Sequence, residues 1–313
     1  MRSVLEHLAA VQWTALAVAV VFQVLKLVVR SRAWHNLLQA AFPAAGLRWG
    51  AVAGAVLVSA GVNSAAPARL GDLVKVAVVR RGLGARCCLP TIGATMVAEA
   101  LLDLAVAVLL VGAVVASGRL VGHGEVARAV LGAAGEAAAR PWLATACAGA
   151  VVAIAVALRL AARGRLGRLR GAITGVRAGL AGLREPRRYA RDVASWQILS
   201  WGLRVGCVFF ALRAFGIDAT LELALLVVAA QILSSLVPVA GGAGTQQALV
   251  VVALHGHASV SEAVAFSLGL QATVMATNIL VAGGVGAVAV QRIGTRGVRA
   301  LLPWPRRYQS VGL

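Results

Sequence analysis

The chain has 313 residues, 60% of them hydrophobic and only 13% charged, with a mean hydropathy of +0.86. Soluble domains are about half apolar and about a quarter charged, so this composition cannot cover a water-soluble globule, and the excess must face lipid. The net charge of +19 would suggest nucleic acid in a soluble protein, but the 30 basic residues sit in short patches between uncharged runs and aromatic content is 5%, a pattern that positive membrane loops explain without a nucleic-acid partner.

Crossing ~30 Å of hydrocarbon takes about 20 apolar residues. The first such run extends from Ala9 to Val29, with Lys26 near its end where a long side chain can snorkel. Its Met-Arg start lacks a small-residue cleavage site followed by a soluble region, so it reads as a helix and not as a signal peptide. The second run, Trp49 to Ala66, ends in a polar stretch, Asn63-Ser64-Ala65-Ala66-Pro67-Ala68-Arg69-Leu70-Gly71-Asp72. The third, Thr91 to Ala116, carries Glu99 and Asp103, and the fourth is Trp142 to Leu158. Next comes a basic stretch, Arg163 to Arg191. Its apolar residues Leu166, Leu169, Ile173, Val176, Leu180 and Leu183 are spaced three and four apart, beside arginines recurring every seventh position. That pattern suits a helix lying in the headgroup plane. The fifth run is Val193 to Leu212. After it come Leu221 to Val237, a glycine-rich break, Ala248 to Leu254, and Ala263 to Val290.

Loop charge gives an orientation. Arg69 to Arg86, Arg159 to Asp192 (ten Arg) and the tail after Val290 are strongly basic and are expected to be cytoplasmic. The Gly118–Pro141 and Arg213–Glu222 loops carry acids and read as external. Arg30, Arg32 and Arg48 favour a cytoplasmic loop too. Trp49 to Val79 would then enter and leave on one face as a re-entrant hairpin, the alternative being a plain span with that loop outside. The four cysteines, Cys87, Cys88, Cys147 and Cys207, have no metal or redox spacing and read as small packing residues.

Two breaks share a pattern: Asn63-x-x-x-Pro67-x-x-x-Gly71 parallels Ser234-x-x-x-Pro238-x-x-x-Gly242. Pro and Gly end helices and leave backbone groups unpartnered, which hydrocarbon tolerates only where protein or a wet cavity satisfies them. Matching broken segments in two halves point to a transporter's central site. Chance is the competing reading, since Gly makes up 35 of the residues.

At these residues the chain resembles the lysylphosphatidylglycerol synthase transmembrane region, a flippase-like membrane family. The resemblance is carried by Arg32-Ala33-Trp34, by Asn63 with Pro67-Ala68-Arg69-Leu70-Gly71-Asp72, by Glu99 to Asp103, and by Pro238 to Gln247 with Gly241, Gly242 and Gly244. Where the family pattern has Glu, this chain has Asp72 and Gln247, and Ala100 stands for an Arg. The resemblance implies a single all-α polytopic membrane domain over residues 1–313, with about seven or eight transmembrane or re-entrant segments and two Pro/Gly-broken hairpins. It also implies a plasma-membrane location and movement of an amphiphilic lipid, anionic or aminoacylated, between leaflets. The expected partner is a membrane phospholipid or polyprenyl-linked lipid, with a homo-oligomer or a separate lipid-modifying enzyme as further possibilities. No synthase domain accompanies the apolar runs, so no enzymatic step and no cofactor are expected. A membrane component of lipid-linked sugar transfer would need an acidic metal motif such as DxD, which the sequence lacks. A non-transporting partner subunit is the other alternative.

Arg69 and Asp72 read either as a headgroup site, with a guanidinium fork for phosphate, or as an ion pair at the membrane edge. Glu99 and Asp103, four residues apart, share a helix face inside an apolar run and must look into the bundle, toward Arg69 or Arg204, for ion pairing or for transport. His255 and His257 stand in no metal-ligand pattern with carboxylate or Cys and read as surface residues, so no metal is expected.

Overall fold

A computed structural model describes residues 11–66, 70–83, 89–116, 185–236 and 244–301, together with 174, 176 and 179. All its regular elements are helices. In chain order they are α1 (Trp13–Ala41), a short 3-10 turn (Pro43–Ala45), α2 (Trp49–Ala65), α3 (Leu70–Leu83) and α4 (Leu89–Ala116). Then follow α5 (Pro186–Tyr189), a π-helical turn (Ala190–Ala194), α6 (Ser195–Ala214), α7 (Leu221–Leu236), α8 (Thr245–Ala253) and α9 (Val260–Leu301). Four stretches are long and apolar enough to cross a membrane: Trp13–Ala41, Leu89–Ala113, Arg187–Ala214 and Val260–Val288. The protein is a multi-pass helical membrane protein. The Trp142–Leu158 run and most of the Arg163–Arg191 stretch lie outside the described residues. Thr174, Val176 and Gly179 are helical, and Gly179 sits against Thr91 and Ala94 of α4, where a Cβ would collide with the Ala94 methyl.

The organising pair is α1 with α6. The Gln12 amide donates to the Ala214 carbonyl, Gly206 lies under the Phe22 ring, and the Asn36 amide donates to the Asp192 carbonyl. These contacts fix one antiparallel register along the full length, in which Lys26 lies level with Gly202. A Cβ at Gly206 would collide with the Phe22 ring, so glycine permits this approach. Close backbone contact through small residues is how helices associate where lipid offers no hydrophobic drive.

The remaining elements form two helical hairpins around α9. In the first, α2 and α3 pack on each other. Gly71 contacts Ser59 and Asn63 near the turn, and Gly82 contacts Leu47 at the open end. That open end lies on the Arg32 side of the bundle, where the Arg32 guanidinium stands 6.0 Å from the Trp49 ring. In the second hairpin, α7 and α8 pack on each other; the chain enters α7 from the Ala214 end through Ile217, whose amide donates to Leu212. Helix α9 starts at that same end, with Phe266 edge-on to Phe215 at 5.7 Å, and descends until Val285 faces Gly54 near the start of α2. The two hairpins therefore enter the bundle from opposite ends.

Helical rise sets their depths. Gln23, ~16 Å along α1 from Gln12, donates to Asn278, which in turn donates to Ser64 at the end of α2. The first hairpin therefore turns near mid-depth. Ser234 lies ~20 Å along α7 from Leu221, so the second turns at a comparable depth. Pro67, Arg69, Pro238, Gly241 and Gly242 lie outside the described residues.

Candidate functional site

The buried apolar residues divide into two clusters. One, toward the Ala214 end, contains Ala19, Ala107, Trp201, Leu212, Val228 and Phe266. The other, toward the Arg32 end, contains Ala33, Trp34, Leu38, Ile92, Ala98 and Val193. On each of the helices they share, a polar layer separates them: Gln23, Lys26 and Arg30 on α1, Glu99 and Asp103 on α4, Gln197 on α6. Charges there cannot face hydrocarbon cheaply, and both carboxylates pair across helices.

Arg30 forms the bridge. Its Nε donates to Glu99 Oε1 at 2.9 Å, and its Nη2 donates to Asp103 Oδ2. Lys75 Nζ donates to Glu99 Oε2 at 2.9 Å and lies 4.0 Å from the Trp34 ring centroid, a cation–π contact. Asp103 Oδ1 also accepts from Gln197 Nε2 at 2.9 Å and from Trp201 Nε1 at 3.0 Å, while Gln197 Nε2 reaches the Glu99 carbonyl at 2.9 Å. Glu99 is 4% exposed and Lys75 7%. In so dry a place, losing one partner strands the other.

As read from sequence, Glu99 and Asp103 look inward; of their two expected partners, Arg69 lies outside the described residues and Arg204 turns elsewhere, and the described partners are others. They are Arg30 and Lys75, which sequence reading counted as loop charges that set topology. Both belong to helices: α1 continues to Ala41, well past the end of the apolar run at Val29, because Arg30 finds carboxylates on α4 and no longer has to reach water. Arg204, the other expected partner, instead donates from Nη2 to Gln231 Oε1 on α7 at 3.1 Å and lies 5.1 Å from the Trp201 ring.

Three of the remaining predicted residues meet at the first hairpin turn. Asn63 Oδ1 accepts from the Gly71 amide at 2.8 Å, and Asn63 Nδ2 lies 3.4 Å from Asp72 Oδ1. Asn63 thus satisfies an amide that the start of α3 leaves free, and Asp72 stands one turn before Lys75. A Cβ on Gly71 would collide with the Ser59 carbonyl, so only glycine fits. In the second hairpin Gly244 has φ +102°, and its amide donates to Gln247 Oε1 at 2.7 Å. Gln247 Nε2 donates to Gln271 Oε1 at 2.7 Å. At this position Gln caps its own helix and ties it to α9. Ser64 and Gln247 are anchored at Asn278 and Gln271, two turns apart and so on one stripe of α9.

Sequence reading missed Arg30, Lys75, Gln197 and Trp201 as members of the site. A polar residue at interior helical spacing, Gln197 one turn before Trp201, was the available signal. At the Arg32 end a cleft of about 600 Å³ opens beside the π-helical turn, lined by Asn36, Tyr189, Asp192 and Trp196 among others. Among the described residues no group of His, Cys, Asp and Glu could hold a metal ion.

The family model of the lysylphosphatidylglycerol synthase TM region matches residues 1–282. The chain belongs to this family. Every residue of the charged layer falls inside the matched region. No curated protein and no solved structure matches the chain. Membership makes the chain a membrane protein of a lipid-handling family.

Proposed function

We propose that the protein binds an amphiphilic lipid, anionic or aminoacylated, and moves it between leaflets without changing it chemically. The observation that carries this reading is the charged layer itself. Two carboxylates, two amides, an indole and their basic partners stand between two apolar clusters of spanning helices, where a merely structural bundle gains nothing from them. Intramembrane ionisable groups of this kind mark substrate paths. The two broken hairpins support the same reading. We take them to be re-entrant, entering from opposite faces and turning near the membrane midplane, the arrangement of inverted repeats around a transport site. The Arg30–Arg48 segment, the Arg187–Arg191 segment and the end of α9 share one end of the bundle. The positive-inside rule makes that end cytoplasmic, in the plasma membrane.

Reconstitution tests the proposal. Purified protein in vesicles carrying a fluorescent phosphatidylglycerol should raise the fraction of label reached by an impermeant quencher above the outer-leaflet half. A fraction equal to that of protein-free vesicles, over the lipids tried, would refute translocation.

A further inference from the structure

The charged layer is not electrically balanced. Among its described residues Glu99 and Asp103 are matched by Arg30 and Lys75, which leaves Lys26 and Arg204. Neither has a carboxylate within ion-pair distance among the described residues. The α1–α6 register puts them at neighbouring depths on two packed helices, Lys26 level with Gly202 and Arg204 two residues, ~3 Å, further along α6. By helical rise Arg204 lies ~15 Å from the Ala214 end and Lys26 ~21 Å from Gln12, the depth at which both hairpins turn. Both side chains are partly buried and neither is sealed. Gln231 holds one side of the Arg204 guanidinium from α7, and Trp201 covers a face, while no other described side chain accepts from the fork. Two cations at one mid-membrane depth, without a described counter-ion, resist desolvation unless an anion joins them.

Building on the lipid-handling reading above, we propose that Lys26 and Arg204 form the binding site for the phosphate group of an anionic lipid headgroup at the centre of the path. The guanidinium fork takes two phosphate oxygens and the ammonium a third, as point charge beside fork. An anionic phosphodiester fits the charge of the site.

The experiment uses full-length protein in detergent, loaded with phosphatidylglycerol, with phosphate-free diacylglycerol or with inorganic phosphate. Retained lipid is quantified by mass spectrometry after gel filtration, and unfolding temperature is recorded in parallel. Wild type should retain phosphatidylglycerol well above diacylglycerol. The pair Lys26→Gln with Arg204→Gln should lower phosphatidylglycerol retention by about tenfold or more. Its unfolding temperature without lipid should be unchanged or higher, because two uncompensated cations have gone. Arg204→Lys should restore only part of the retention. Equal retention by the double variant and wild type would overturn the site, and so would thermal protection by inorganic phosphate with none by phosphatidylglycerol. The two proposals fail separately. Wild type that exchanges lipid in vesicles while the double variant retains it equally refutes the site alone. Wild type that retains phosphatidylglycerol through this pair, yet never exchanges it, refutes translocation alone.

Discussion

The two broken hairpins have similar punctuation in sequence and different chemistry in space. In the first, the chain after the break carries charge: Asp72 stands beside Asn63 at the turn, and one turn later Lys75 reaches Glu99 and the face of Trp34. In the second, the described chain after the break is neutral: Gln247 closes its own helix start and leans on Gln271. Both are moored to one stripe of α9, at Asn278 and Gln271. A Pro-x-x-x-Gly break thus supplies a bend, and the residues within a turn of it decide whether the bend joins an ionic network or only packs. On this account the first hairpin is part of the charged machinery, and the second contributes Gln231 to Arg204, its described acid, Glu222, standing in the first turn of α7 away from the layer.

The comparison breaks most sharply at Arg30. Arg30→Gln leaves Asp103 and half of Glu99 without a cation, and should cost about 3 kcal/mol of stability. The readout is a fall in unfolding temperature and in yield of monodisperse protein. Loss no greater than that of a surface Arg→Gln would show the network to be idle. Next comes glycine. Gly71→Ala drives a methyl into the Ser59 carbonyl and should cost about 2 kcal/mol. Gly244→Ala meets no atom and bears only its positive φ, so about 1 kcal/mol is expected. The reverse order in a thermal-shift comparison would contradict the tighter closure of the first hairpin. The smallest effect belongs to Gln247→Glu. The acid still accepts from the Gly244 amide but can no longer donate to Gln271, for a loss of about 1 kcal/mol or less. A strong gain or loss of lipid exchange in that variant would give the second hairpin a charged role that the present geometry denies it.

What the sequence could convey follows the same physics. Helical class, the multi-pass character and the inward aim of Glu99 and Asp103 were legible, because hydrocarbon length and the cost of a carboxylate in lipid constrain local sequence directly. The breaks were legible as Pro and Gly clusters. Their depth was not, because it depends on residues far apart in the chain joining in a line, Gln23 donating to Asn278 and Asn278 to Ser64. The described cation partners were missed for a related reason. Arg30 and Lys75 sit where an apolar run fades into a basic one, and counting charge there cannot separate a residue that faces water from one that turns inward to a carboxylate on another helix. Gln247 shows the limit of resemblance: the family motif asks for an acid at that position, and here an amide meets the need of the helix start.

The most direct test removes charge from the network while keeping it balanced. In Arg30→Gln with Asp103→Asn, the Lys75–Glu99 pair remains whole, and the side-chain carbonyl left at position 103 can still accept from Gln197 and Trp201. The account predicts an unfolding temperature restored most of the way from that of Arg30→Gln alone, and lipid exchange in vesicles that falls to the protein-free level. Exchange at the wild-type rate by this folded, neutralised pair would contradict the claim that the charged layer carries the lipid's path.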